Sequence, residues 1–193
     1  MLIWTFDHLA GSSTSVPELI TPRLLLRAPS AQDFDASAAM WADENVVRYI
    51  SGKPSTSSES WARLLRYIGH WQELGYGEWI VEDRETGQFF GEVGFADHKR
   101  NMEPGLGDLP EAGWVLTTNA HGKGIATEAL KAALAWADSN LASAGTACIF
   151  DPDHRASQNV ARKCGYTERG MAIWETLPAL VMERTRPPSS TAT

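Results

Sequence analysis

The segment from Glu111 to Phe150 constrains the fold most, because a strand, a glycine turn, a long helix and a second strand follow one another without a break. "EAGWVLT" (111–117) is apolar and β-prone, "HGKG" (121–124) turns the chain, and "TACIF" (146–150) is again β-prone. Between them the chain runs to about Ser139 with Ala126, Leu130, Ala133, Leu134 and Ala137 at helical spacing. A helical crossover is what parallel strands require, and its hand is right-handed almost without exception. The chain must therefore hold at least one parallel strand pair beside a helix.

The flanking sequence adds antiparallel structure to that unit. "RLLLRAP" (23–29) predicts a first strand closed by Pro29, and Ser30 is placed to cap a helix carrying Phe34, Ala38 and Trp41. After the loop "SGKPSTSS", Glu59–Leu74 predicts a helix with Trp61, Leu64, Leu65, Ile68 and Trp71 on one stripe, stopped by Gly75. Residues 76–97 predict a β-hairpin turning at Thr86-Gly87. A short helix over Gln158–Lys163 follows the second parallel strand, and "GYTERGM" and "ALVMER" close the sheet. The order β-α-α-β-β-β-α-β-α-β-β is a mixed α/β fold, neither doubly wound nor a sandwich.

At 193 residues the chain suits one domain, read as 18–185. Residues 1–17 read as a loosely held extension and 186–193 as a disordered tail. The amino terminus has no positive n-region, and Asp7 and His8 break its apolar run, so neither a signal peptide nor a membrane span is expected and a cytoplasmic protein is. Seventeen basic against 24 acidic residues give a net charge of −7 without a basic run, which argues against a nucleic-acid partner. Cys148 and Cys164 lack a C-x-x-C spacing, so they read as free thiols and no metal is expected. A homodimer is only the default expectation.

The turn at 121–124 fits neither standard phosphate loop. A Walker loop would need its first glycine where Thr117 stands, and a dinucleotide fingerprint its third where Thr127 stands. A strand running straight into glycines and a helix start nevertheless offers unpaired N–H groups and the positive end of a helix dipole, with Lys123 beside them. Two readings stand at this point: a diphosphate site, or a plain turn opening a buried helix.

"HGKGIATEAL" after "EAGWVLT" resembles the acyl-CoA-binding motif of the GNAT N-acetyltransferase superfamily, with His121, Gly122, Lys123, Gly124, Ile125 and Ala126 at its positions. "HRASQNVARKCGYTERG" (154–170) resembles the family's next element, with His154 where asparagine is usual, Ser157, and Lys163-Cys-Gly-Tyr166. "LITPRLLLRAPSAQDFDA" is similar to the opening of the branch containing the ribosomal-protein-alanine N-acetyltransferases (RimJ/RimL-like), so the likeness spans about residues 19–184. His121 stands in place of the family's Arg or Gln.

The resemblance implies a central, mostly antiparallel sheet of about seven strands, splayed in the middle and flanked by about four helices. It further implies acetyl-CoA as co-substrate, with Trp114, Val115, Leu116 and Thr117 along the pantetheine and His121 to Thr127 around the pyrophosphate, joined by His154. The acceptor would be a small-molecule amine or a peptide N-terminus, attacking directly in a ternary complex. An alkylamine is mostly protonated at neutral pH, so a base is needed. Glu111 is the first candidate, against an exposed loop carboxylate; Glu92, also on the acceptor side, is the second, against a salt bridge. Ser157 either serves the leaving sulfur or caps the short helix, and Trp79 and Trp114 are candidates to line the acceptor pocket. Trp41, Trp61, Trp71 and Tyr166 read as core, Cys164 as a buried thiol, and the loop 98–111 as an acceptor-side lid or an excursion. A non-catalytic acyl-CoA-binding sensor on the same fold is the alternative.

Overall fold

The computed structural model describes residues 15–188, so the expected extension before residue 15 and the tail after 188 lie outside the described residues. Nine strands form one sheet: β1 (Leu19–Ile20), β2 (Leu24–Arg27), β3 (Glu78–Asp83), β4 (Phe89–Ala96), β5 (Met102–Glu103), β6 (Glu111–Leu116), β7 (Gly145–Phe150), β8 (Thr167–Trp174) and β9 (Leu177–Thr185). Their spatial order is β1-β2-β3-β4-β6-β7-β9-β8-β5. Seven of them are the long strands expected; β1 and β5 are two-residue additions at the two edges. The helices are α1 (Phe34–Trp41), α2 (Glu44–Val47), α3 (Ser57–Leu74), α4 (Ile125–Asn140) and α5 (Arg155–Lys163), α2 being a single extra turn. Among the described residues no helix is long and apolar enough to cross a membrane.

Cross-strand partners share a face of the sheet, which sorts the central residues into two sets. Trp79, Val93 and Trp114 are in register on one face, and Glu78, Gly94 and Gly113 on the other. The first face packs on α4, where Ile125, Ala129, Leu130, Ala133 and Leu134 meet Val81, Val93, Phe95 and Ala112 in the main core. Met40, Trp41, Val46 and Val47 of α1 and α2 cover the second face, with Val115 beneath them.

Helix α3 starts earlier than Glu59, because Thr56 and Glu59 form a reciprocal capping box, and it ends at Gly75 in the left-handed conformation (φ 71°). Its buried stripe is Ser60, Leu64, Tyr67 and Trp71, whereas Trp61 and Leu65 are 39% and 46% exposed. The stripe is turned so that Tyr67 faces the glutamates of the second sheet face, burying one residue set along from the purely apolar one.

The centre of the sheet carries its main irregularity. Strand β6 pairs antiparallel with β4 over its whole length, from Gly91↔Leu116 to Ala96↔Glu111. With β7 it shares one parallel bridge, Glu111↔Ala147, where the Ala147 N–H donates to the Pro110 carbonyl at 3.0 Å. Beyond that bridge the strands part. The Thr117 N–H donates to the Phe90 carbonyl at 2.9 Å, so by strand alternation Val115 and Gly113 also turn their peptide groups to β4. Trp114 and Leu116 then present theirs to the side from which β7 has withdrawn.

Candidate active site

The glycine turn lies at the open end of this fork. His121, Gly122, Lys123 and Gly124 are exposed, and both glycines are left-handed, with φ 73° at Gly122 and 77° at Gly124. A methyl carbon at Gly122 would meet nothing within 4 Å, so glycine is required there by backbone conformation alone. Gly124 is the N-cap of α4 and offers no side-chain cap, which leaves first-turn N–H groups facing solvent at the positive end of a 16-residue helix. The turn is braced from the sheet edge. Arg23 donates to the Lys123 carbonyl at 2.9 Å and pairs with Glu128 of α4, and the Thr21 hydroxyl donates to Glu128 Oε1 at 2.6 Å. Neither Arg23 nor Glu128 was singled out from sequence, since their partners lie about a hundred residues away.

Inside the fork, His121 Nε2 lies 2.9 Å from the Leu116 carbonyl, so the histidine side chain closes onto the strand edge that faces β7. The rings of Trp114 and Phe150 meet across the widening gap at 5.6 Å, and Trp114 Nε1 is buried with no hydrogen-bond partner among the described residues. A buried indole N–H without an acceptor is unfavourable, and a ligand carbonyl in the gap would satisfy it. At the mouth, His154 stacks on Tyr49 at 4.8 Å and lies 3.2 Å from the Ser157 hydroxyl. Burial, with His121 nearby, holds the His154 imidazole below the ordinary histidine range despite Asp151. Ser157 sits inside α5 rather than at its cap, a position taken by His154, so the capping reading of Ser157 does not hold.

The other predicted residues divide. Trp79 is fully buried among Trp71, Trp136 and Phe95 on the α4 face, its indole N–H donating to the Pro17 carbonyl at 2.8 Å; it packs the core and lines no acceptor pocket. Val115 and Thr117 turn their N–H groups away from the fork, as above. Tyr166 is buried, its hydroxyl 2.6 Å from that of Thr146, and burial raises the thiols of Cys148 and Cys164, so none of the three is poised as a nucleophile.

Three glutamates share the face under α1–α3. Glu92 takes hydrogen bonds from Ser37 Oγ at 2.6 Å and Trp41 Nε1 at 3.0 Å, so neutral donors hold it and the alternative reading as a salt bridge does not apply. Glu111 is neither exposed nor free: Arg100 grips both its oxygens, Nε to Oε2 at 2.6 Å and Nη2 to Oε1 at 2.7 Å, and the guanidinium lies 4.2 Å over Trp174. Its wall borders a cavity of about 400 Å³ lined by Tyr76, Asp97, His98, Arg100 and Leu106. His98 is pushed down to about 4 by burial and is neutral at pH 7. The loop above is ordered by β5, where Met102 is in register with Trp174 of β8. Glu78, which sequence reasoning passed over, is 6% exposed, and its carboxyl receives no hydrogen bond among the described residues.

Comparison with known proteins adds an independent line. The family profile described as Acetyltransferase (GNAT) domain matches residues 23–167. The uncharacterised N-acetyltransferase YoaA of Bacillus subtilis (strain 168) is 27% identical over 159 residues, covering 80% of this chain and 85% of that protein. An acetyltransferase from Agrobacterium tumefaciens str. C58 superposes with a TM-score of 0.76 at 28% identity, over 88% of this chain and 94% of that one. RimL, a ribosomal L7/L12 alpha-N-protein acetyltransferase solved in complex with coenzyme A, shares the fold with a TM-score of 0.72 at 15% identity, over 88% and 98% of the two chains.

Proposed function

The chain belongs to the GNAT acetyltransferase family, and from that premise we propose that it moves the acetyl group of acetyl-CoA onto a primary amine by direct attack in a ternary complex. The observation that carries this reading is the forked strand pair leading up to an uncapped helix start. The residues fit the co-substrate: the N–H groups from Gly122 to Thr127 and the Lys123 cation suit a diphosphate, and the peptide edge of Trp114 with the Leu116 N–H suits an extended pantetheine arm. The Trp114 indole N–H is a spare donor in the same gap. His154 and Ser157, hydrogen-bonded together at the mouth, can hold the arm or its sulfur. The acceptor, a small amine or a peptide N-terminus, enters from the α1–α3 face, where the buried carboxylates favour a cation.

Two measurements test this. Calorimetry should show coenzyme A binding, and acetyl-CoA should release thiol only when an amine is supplied from a panel of peptides and small amines. Binding without amine-dependent release would leave the sensor reading; no binding would overturn both.

A further inference from the structure

Glu92 and Glu111 have every carboxylate oxygen engaged, and Glu78 has none. A largely buried carboxyl without a protein donor among the described residues holds its charged form less well than its two neighbours do. The sheet leaves the Glu78 side chain a path. Glu78, Gly94 and Gly113 lie in one row across β3, β4 and β6. A methyl carbon at Gly94 would collide first with the Gly77 carbonyl and the Glu78 Cα and would stand 2.8 Å from Glu78 Oε2, and one at Gly113 would stand 3.3 Å from Oε1. Neither glycine has a positive φ; at Gly94 the backbone of β3 already leaves no room for a side chain, whereas at Gly113 the Glu78 carboxyl is what a side chain would meet. The side chain therefore crosses β4 and brings its carboxyl over Gly113. That residue lies two positions past the last β6–β7 bridge, beside Trp114, whose peptide group faces the fork.

We propose that Glu78 is the group that takes the proton of the acceptor amine, an inference that rests on the acetyl-transfer reading above. The amine arrives as an ammonium and gives one proton to the Glu78 carboxylate. Its freed lone pair attacks the thioester carbon, and the carbonyl π pair moves to oxygen. As that pair returns, the C–S bond breaks with its electrons on sulfur, which takes the second proton from nitrogen and leaves as the thiol. Glu78 then gives its proton to solvent, so one amide, one thiol and one proton are formed.

The surroundings suit the task. Burial, with Glu92 of β4 and Glu111 of β6 adding, pushes the Glu78 carboxyl well above the usual range, while Arg66 of α3 opposes them. Tyr67 of α3 is itself pushed up by burial and by Glu92 and Glu78, so its hydroxyl stays protonated. His70 and His98, beyond Arg66, are held low by burial and stay neutral. A carboxyl raised in this way is a stronger base than an exposed one, closer to the working pH at which a proton must be taken.

The test is Glu78→Gln, which keeps shape and removes basicity. Expected are unchanged coenzyme A affinity by calorimetry and a fall in kcat/KM of about 10²- to 10⁴-fold with an alkylamine. The acidic limb of the wild-type pH–rate profile should also disappear. With a weakly basic amine, already neutral at assay pH, the deficit should shrink sharply, which a structural role would not produce. A variant that keeps the wild-type rate and limb, or loses equally with both amines, overturns the proposal. Absence of amine-dependent thiol release in the wild type overturns instead the acetyl-transfer reading on which it rests. If Glu78→Gln does not bind coenzyme A, Gly113→Ala decides: its methyl crowds Oε1 and should shift the acidic limb, and an unmoved limb overturns the assignment.

Discussion

Within one face of the sheet, three glutamates of the same chemistry have three different fates. Glu92 ties α1 to β4 through Ser37 and Trp41, Glu111 ties the 98–111 loop to β6 through Arg100, and Glu78 ties nothing. Stability should report the difference. The Glu78 carboxyl titrates higher folded than unfolded, so its contribution is complete below about pH 4.3, the ordinary glutamate value, and is lost as pH rises through the folded value. Glu78→Gln removes that loss. Its melting temperature should match the wild type near that pH and exceed it by a widening margin, a few degrees, toward neutrality; a margin that is flat or reversed contradicts the assignment of an unpaired buried acid. Alternation in "FFGEVGF" was enough to place Glu92 on its face, and the strand start placed Glu111. Neither the Arg100 grip nor the importance of Glu78 was legible, because each depends on residues from other strands or loops: a guanidinium in an irregular loop, and two glycines on neighbouring strands.

Elements set the geometry of the anion site. The left-handed Gly124 delivers the chain into α4, and any other residue there carries backbone strain of about 1–2 kcal/mol. Gly124→Ala should therefore lower the melting temperature modestly and weaken coenzyme A binding by more than the stability loss alone explains, since the helix start moves with the strain. Calorimetry at matched temperature separates the two effects, and unaltered affinity would argue that the turn is only a turn. The glycine spacing, the following helix and its buried Leu130, Ala133, Leu134 and Ala137 were all legible from periodicity. The brace from Arg23 and Thr21 to Glu128 was not, because an ion pair between distant segments leaves no local pattern. Helix α3 shows the same limit: its existence and its stop at Gly75 followed from sequence, but the buried stripe was set by Tyr67 finding the glutamates of the sheet.

For the whole molecule, the β-α-β crossover announced a parallel pair, and β6 and β7 are that pair. What no periodicity reveals is that they touch at a single bridge. A sheet joined at its centre by one rung is, in effect, two sheets of five and four strands (β1-β2-β3-β4 with β6, and β7-β9-β8-β5) hinged at Glu111 and Ala147. A bound pantetheine arm would supply missing rungs, so the stability of the molecule should depend on its ligand. At a hundredfold excess over Kd, linkage adds about 2.7 kcal/mol, or roughly 5–10 °C for a chain of this size. Deuterium uptake should localise the gain: the amides of Trp114 and Leu116 exchange fast in the unliganded protein and slow down in the complex, whereas that of Thr117, already bonded to β4, hardly changes.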